Sequence, residues 1–522
     1  MGANAHERET LGDFDVAIVG LGPVGGTLAC LLGQLNLNVL VLEREASPYA
    51  LPRAVAFDAE VMRVFQTIGL TAAIMAATRV SPGMIFIDSH GRKMLEWLRP
   101  EEPGPQGWHE SYRFHQPDLE ALLRKTIRAL PAVTVVEQHV VTEIVQDEQW
   151  ATIRSTDLKA ECVRMARARY VVGCDGARSI TRDLLKARYA DLGFEERWVV
   201  VDCLLTRPRP DLGDYSVQFC DPDRPATYVR GVGNRRRWEI RAPDAKSTTD
   251  LIKPDMIWSL LSRWITPDDA EIERAAVYTF RSAVATQWRS GRLLIAGDAA
   301  HLTPPFLGQG LCAGIRDVSN LAWKLAAVLH NGVPDGLLDT YQNERAPHVT
   351  EFIELAVRLG GLINLQAKER AVPGHSFNAE PATMSAIKPK LGATMPGAHP
   401  LVGTLAPQPR LASGHLVDDR VGYSFCMIAL SLDAEGDADL KERCRERGVA
   451  VILASRDEPA AIWLRAEGIV AALIRPDRYI LAVAAREADR LAMLSAEPVR
   501  YFANRARTVA DEINVVEQGC AQ

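Results

Sequence analysis

The sequence predicts an α/β chain. A GxGxxG Rossmann-type dinucleotide-binding domain is interrupted by an inserted β-sheet and followed by a smaller α/β domain. Three observations predict it. A strand, glycine-rich turn, helix and second strand open the chain between Phe14 and Glu43. A second apolar strand ends at Gly297-Asp298 and turns into another glycine-rich helix start. Between these points lie short alternating segments separated by Pro-rich loops, the pattern of a β insertion.

Phe14 to Val19 is the first strand, followed at once by Gly20-Leu21-Gly22-Pro23-Val24-Gly25 and a small, apolar helical run to Leu35. The first glycine allows a tight turn, the second lets the backbone approach a pyrophosphate, and the third lets helix and strand pack closely. Val39 to Leu42 is the next strand, and Glu43 ends it. An acid at that place, about 20 residues on, binds a ribose hydroxyl in this fingerprint. Glu43-Arg44 leaves FAD and NAD both open.

A second motif lies in mid-chain. Tyr170 to Cys174 reads as a strand, and Asp175-Gly176 begins an Asp-Gly-x-x-Ser-x-x-Arg pattern completed by Ser179 and Arg182. Alone, Asp-Gly is also an ordinary solvent turn. The third motif is Gly297-Asp298-Ala299-Ala300-His301-Leu302-Thr303-Pro304-Pro305, after the buried run Leu293 to Ala296. Asp298 can accept a hydrogen bond from a sugar-like hydroxyl. The helix that starts near Gly308-Gln309-Gly310 can turn free N–H groups toward an electron-rich partner. A nucleotide fold closed by two distant segments points to FAD, whose ribityl chain and ring need both.

The three ordered motifs resemble those of the single-component flavoprotein aromatic hydroxylases. The closer likeness is to the 3-(3-hydroxyphenyl)propionate hydroxylase branch. It rests on Pro52-Arg53-Ala54, Asp58-Ala59-Glu60, Gln116-Pro117, Arg236-Arg237-Trp238-Glu239, Gly308-Gln309-Gly310, Ile315-Arg316-Asp317 and Asn320 to Leu325. The likeness runs from about Phe14 to Arg345 and returns at Arg475 to Tyr479. It implies FAD as cofactor, NADH or NADPH as cosubstrate with a lean to NADH, O₂, and a phenolic acid as the ring hydroxylated. In the family the oxygen is carried by a flavin C4a-hydroperoxide. The resemblance places Arg53 between the flavin and nicotinamide sites, Gln116 on the flavin side chain and Asp298 on the ribityl chain. It sets Pro305 and the backbone of Gly308, Gly310, Leu311 and Cys312 beside the flavin ring. Asp175 is associated with both FAD and the reduced nicotinamide. Gly20, Gly22, Pro23, Val24, Gly25, Glu43, Arg44, Val141 and Gly297 complete the cofactor set. Many relatives carry Gly-Gly-Gln-Gly-Met-Asn where this chain has Leu307 to Cys312, so side-chain contacts from that Asn are missing.

The resemblance also sets the domains. Residues 1–185 form the first part of the FAD-binding domain, 186–285 the β-rich substrate domain, and 286–372 the return with its helices. Residues 373–410 are linker and loops, and 411–522 form a thioredoxin-like domain without CxxC. The insertion is expected to wall the substrate cavity with strands at Trp198 to Leu205, Tyr215 to Cys220, Ala226 to Gly231 and Arg237 to Ala242. On the last of these, Arg237 and Arg241 share a face while Arg236 points away. Either can clamp a substrate carboxylate or lie on a solvated face. Tyr228 is a candidate phenol partner or a core residue. Asp58 is a candidate for phenol deprotonation or a helix N-cap. His115, His301 and Cys312 are expected to pack.

Composition limits the function classes. The 522 residues include 24% charged and 47% hydrophobic side chains, with a net charge of −6, which gives no reason to expect nucleic acid. No apolar run approaches the roughly 18 residues that span a bilayer. The nine cysteines show no metal-like or CxxC spacing, so no metal is expected and free thiols in a cytoplasmic setting are. A homodimer is expected by analogy. Two readings compete: the same chemistry on a larger polyketide-like or N-heteroaromatic ring, and a non-catalytic flavin-binding redox sensor. An NAD-dependent dehydrogenase fits poorly, because the Gly297-Asp298 motif is present and a second GxGxxG is not.

Overall fold

Val19, Gly173 and Ile295 lie side by side in one sheet, and this register places all three motifs at one edge. In the computed structural model, which describes residues 9–48, 53–243, 245–369, 382–392 and 399–504, the Glu9–Val19 strand pairs in parallel with Val39–Leu42 and Cys162–Gly173. Cys162–Gly173 pairs in parallel with Leu293–Ile295, and Val39–Leu42 with Val133–Val136. Strands that run in parallel present all their C-terminal ends to the same side, where nucleotides bind in open α/β sheets. The Pro23–Gln34 helix then crosses to the neighbouring strand, and its interior is buried from Gly25 to Gly33. Its apolar residues are continuous because it is covered by the sheet on one side and the Gly310–Asn331 helix on the other.

The insertion is larger than its sequence boundaries. Two long antiparallel strands, Tyr189–Leu205 and Ala270–Ala285, carry the chain out and back. Between them, Ser216–Cys220, Ala226–Arg230 and Arg235–Arg241 fall close to the expected strands. The sheet also recruits Gly83–Asp88 and Lys93–Leu98, from the segment assigned to the first nucleotide part, and Ala382–Thr383 from the expected linker. The rest of that linker up to residue 381, and residues 393–398, lie outside the described residues, as does Cys520. Sequence boundaries miss this exchange because strand pairing is a long-range property that local alternation does not encode.

The C-terminal segment forms a four-stranded sheet, ordered Ala450–Ala454, Cys426–Leu430, Ala471–Ile474, Ile480–Ala484. The Ala471–Ile474 strand is buried throughout and shows no alternation. The sheet is joined to the nucleotide domain by a buried charge cluster. Glu344 accepts hydrogen bonds from Lys324 Nζ at 2.8 Å, Arg475 Nη2 at 2.7 Å and Asn320 Nδ2 at 2.7 Å. Among the described residues every cysteine is a free thiol, no helix is long and apolar enough to cross a membrane, and no cluster of three or more His, Cys, Asp or Glu could hold a metal ion.

Candidate functional site

The fingerprint glycines show where a phosphate fits. Gly20 has φ +100°, and a Cβ there would lie 2.7 Å from the Cys174 carbonyl oxygen. A Cβ on Gly25 would lie 2.0 Å from the Gly20 carbonyl oxygen. At Gly22 no atom comes within 4 Å of such a Cβ, so its backbone faces open space. Gly22 is also the N-cap of a helix with no side-chain cap, which leaves N–H groups available to a pyrophosphate. The residues present therefore fit FAD. Glu43 ends its strand as expected, with Oε2 accepting from Leu21 N–H at 2.6 Å and Oε1 from Glu45 N–H at 2.8 Å. Arg44 is exposed and pairs with Glu45. Val141 is buried in the main core.

The second and third motifs are wired together. Asp175 accepts from Thr181 N–H at 3.0 Å and Oγ1 at 3.1 Å, which shapes the turn. Arg182 Nη1 donates to the Ala177 carbonyl at 3.1 Å and to Tyr189 Oη at 2.6 Å. Tyr189 Oη in turn donates to the Asp298 carbonyl at 2.7 Å. Burial pushes the Tyr189 phenol up to about 12, which keeps it a donor. Below this, Asp317 is fully buried and accepts from Gly297 N–H at 3.1 Å and Arg345 Nε at 3.0 Å. His301 Nε2 lies 2.6 Å from the same carboxylate. Burial disfavours the Asp317 anion, but His301 and Arg345 outweigh it and hold its pKa low. His301 is thus a packing and hydrogen-bonding residue. Val24 packs on Gly297 and Gly314, which closes the first motif against the third.

Arg53 sits where the parts meet. Its backbone N–H and that of Ala54 both donate to Gln116 Oε1 at 2.9 Å. Its Nη1 lies 3.5 Å from Asp298 Oδ2, and both side chains are substantially exposed. A Cβ on Gly176 would lie 4.0 Å from that same Nη1. An accessible cation beside an accessible carboxylate, with two glycine turns adjoining, suits a phosphate and a polyol chain. Pro305 opens a short 3-10 turn that ends at Gly308 in the left-handed region (φ +64°). The Gly310–Asn331 helix follows without a side-chain cap, and no atom lies within 4 Å of a Cβ on Gly310. Leu311 is half-buried, and Cys312 is buried with Sγ 3.8 Å from the Gly308 carbonyl oxygen.

Asp58 caps the Ala59–Thr67 helix, accepting from Val61 N–H at 3.1 Å. Its other oxygen is held by Arg316, which also binds Glu60 and donates from Nη1 to Gln309 Oε1 at 2.9 Å. Burial opposes its charge, yet Arg316 keeps its pKa below the usual value. A carboxylate so held is a poor proton acceptor, and the geometry makes Asp58 an N-cap rather than the phenol's base. Asp58→Asn keeps a good cap and removes one charge-assisted bond. A loss of about 1–3 kcal/mol in stability is expected, read by urea unfolding, with the pH profile of turnover unmoved. A lost acidic limb in that profile would restore the base assignment.

A cavity partly open to solvent runs from Pro305, Phe306 and Gly308 to the inserted sheet. Its polar lining includes Arg99, Arg113, Thr227 and Glu239. Neither candidate arginine of the Arg235–Arg241 strand lines this cavity. Arg237 is buried, its Nε and Nη2 held by Asp202 at 2.6 and 3.1 Å and its Nη1 donating to the Arg53 carbonyl at 2.8 Å. Arg241 is half-buried and does not line the cavity. Tyr228 is core, packed against Trp238. Arg237 and Arg241 do share a face, but the residue between them on that face, Glu239, is the one that reaches the cavity. Arg113 went unassigned because its strand, Ser111–Arg113, is too short to show a period.

This pairing of an open dinucleotide cradle with an adjoining polar-lined cavity defines a flavin-dependent oxygenase site. The FAD binding domain family matches residues 13–356, and the chain belongs to it. The chain is a single-component FAD-dependent aromatic monooxygenase with NAD(P)H as reducing cosubstrate. It is 38% identical, over 94% of its length and 95% of the relative's, to a probable NADH-specific resorcinol 4-hydroxylase of Rhodococcus jostii (strain RHA1). It is 31% identical to a 3-(3-hydroxy-phenyl)propionate/3-hydroxycinnamic acid hydroxylase of Mycobacterium sp. (strain JLS), covering 91% and 90% of the two chains. In fold it is similar to aklavinone-11 hydroxylase in complex with FAD and aklavinone, at 22% identity and a TM-score of 0.77, covering 96% of this chain and 100% of the other.

Proposed function

We propose that this chain hydroxylates a single-ring phenol bearing a second hydroxyl, of the resorcinol type, with NADH as reductant. The observation that carries the reading is the cavity between Pro305–Gly308 and the inserted sheet, walled by Trp97 and Phe306 with Arg113 and Glu239 among its polar groups. A slot with aromatic walls and several polar anchors suits a flat ring with oxygen substituents. The near full-length likeness to the Rhodococcus protein supports the choice of ring and of NADH. When bound, FAD supplies the reduction and oxygen activation. The chain's residues would hold it: Gly22 and the following helix N-terminus at the pyrophosphate, Arg53 and Asp298 along the linking chain, and the Pro305–Cys312 turn near the ring.

A second reading keeps the phenolic acid of the 3-(3-hydroxyphenyl)propionate type. It is favoured by Arg113, a half-buried cation with no carboxylate within ion-pair distance among the described residues. The C-terminal sheet, with no cysteine pair, is read as a thioredoxin-like support rather than a redox unit.

The test is NADH consumption and product analysis with the FAD-loaded protein on resorcinol, 3-(3-hydroxyphenyl)propionate and a multi-ring phenol. Resorcinol is expected to stimulate NADH loss and yield a trihydroxybenzene. Product from the phenolic acid alone would select the second reading. Product from the multi-ring phenol alone would overturn both.

A further inference from the structure

Glu239 stands in the middle of the Arg235–Arg241 strand, and its neighbours divide cleanly. Trp238 and Ile240 turn into the core of the inserted sheet. Arg237, Glu239 and Arg241 turn the other way. Arg237 is engaged by Asp202, and Asp202 also holds Arg274 Nη1 at 3.0 Å. Glu239 has only a loose contact with Arg237 Nη1 at 3.8 Å and accepts no hydrogen bond from any described side chain. It is a buried carboxylate that lines the cavity, and such groups are normally hydrogen-bonded.

Arg113 lines the same cavity. Its Nη2 donates to Ser216 Oγ at 2.8 Å, and its nearest charged neighbours in the lining are Arg99, engaged by Glu110 at 3.1 Å, and Glu239 itself. The charged groups around Glu239 are therefore Arg237, Asp202, Arg274 and Arg113.

Resting on the reading of the chain as a phenol hydroxylase, we propose that Glu239 is the proton acceptor for the substrate's ring hydroxyl, with Arg113 holding the resulting phenolate. The step balances within the cavity. The phenol O–H bond breaks, a Glu239 O–H bond forms, and the negative charge moves from the carboxylate to the ring oxygen. Net cavity charge is unchanged, and Arg113 keeps an anion opposite it before and after. The ring carbons ortho and para to a phenolate are more electron-rich than those of a phenol, which is what an electrophilic oxygen donor requires. The proton returns to the ring oxygen when product leaves. Burial raises the Glu239 pKa above the ordinary carboxylate value, with Arg237 opposing, so its basicity is closer to that of its proton donor. Arg113 is pushed down to about 10 by burial and by Arg99 and Arg79, and is still a cation at neutral pH.

The test uses FAD-loaded protein and 3-nitrophenol, a ring whose ionisation is read by visible difference absorbance. Wild type is expected to bind 3-nitrophenol as its phenolate at neutral pH with no proton released to a weak buffer, because Glu239 takes it, whereas in Glu239→Gln each phenolate that forms is expected to release one proton, read with a pH indicator. Glu239→Asp is expected to restore the wild-type proton balance in part. Hydroxylation of resorcinol by Glu239→Gln is expected to fall by about 10²–10⁴-fold. A Glu239→Gln protein with normal FAD content that, like wild type, forms the phenolate without releasing a proton overturns the assignment but leaves the hydroxylase reading intact. Failure of every phenol to bind wild type overturns both. Should the variant not fold, infrared difference spectra of wild type decide. A protonated-carboxyl C=O band is expected when 3-nitrophenol binds, and its absence rules out Glu239 as the acceptor.

Discussion

Gly25→Ala is expected to leave a folded protein almost without FAD. The new methyl would sit 2.0 Å from the Gly20 carbonyl oxygen and 3.2 Å from the Cys174 Cβ. Gly20 cannot retreat, because its N–H donates to the Leu42 carbonyl at 2.8 Å and its backbone already holds a positive φ. The Pro23–Gln34 helix must instead shift away from the strand, and its free N–H groups move with it. Overpacking of this kind costs about 3 kcal/mol, or about 100-fold in FAD affinity. The ratio of flavin to protein absorbance in the purified variant reads the effect, and far-UV circular dichroism confirms the fold. A variant with full flavin content would show that the helix does not carry the pyrophosphate.

This result would test the part of the site that was legible from the chain alone. The glycine spacing, Glu43 and the order of the Asp-Gly and Gly-Asp motifs are local signals, each tied to one turn with one backbone requirement. Their meeting at one sheet edge follows from the parallel register of Val19, Gly173 and Ile295. The wiring behind them was not legible. Tyr189 reaches Asp298 and Asp317 reaches Gly297 across long stretches of sequence, and nothing near either residue signals its partner.

Glu344→Gln is expected to give the largest loss of stability. Lys324 and Arg475 share the Glu344 carboxylate inside the contact between the C-terminal sheet and the Gly310–Asn331 helix. Removing one charge from a buried set strands the others, at a cost of about 3–5 kcal/mol. Burial would raise the Glu344 pKa, but Arg475 and Lys324 outweigh it and hold it far below the ordinary value of 4.5. The folded-state pKa is therefore below the unfolded one, and the unfolded chain binds the extra proton as pH falls. The stabilisation is present above about pH 4.5 and is lost progressively below it. Urea midpoints measured at pH 7 and at lower pH check both points. Glu344→Gln should be weaker at pH 7 and should lose less than wild type on acidification. Equal midpoints at pH 7 would mean that apolar packing around Trp323 and Phe425 holds the two parts together without the ion pairs.

The same contact shows why the C-terminal segment is more than an appendage to the site. Tyr479 Oη donates to Glu60 Oε1 at 2.8 Å, Glu60 binds Arg316, and Arg316 binds Asp58 and Gln309. Through this chain the C-terminal sheet braces the residue before Gly310, where the helix begins beside the flavin site. The sequence placed Arg475 to Tyr479 among the family-like residues without indicating that they fold back onto the nucleotide domain.

What the sequence determined by itself is the cofactor fold. A dinucleotide cradle depends on glycines where backbone must approach backbone, and those positions are fixed by chain geometry over a few residues. What only the tertiary structure decided is which charged side chains remain available to a ring. Arg237 and Glu239 look equally eligible on one strand face. Asp202, on the neighbouring strand, engages the first and leaves the second in the cavity that Arg113 also lines. Charge availability depends on which partners come within a few ångströms in space, and strand alternation specifies only the face.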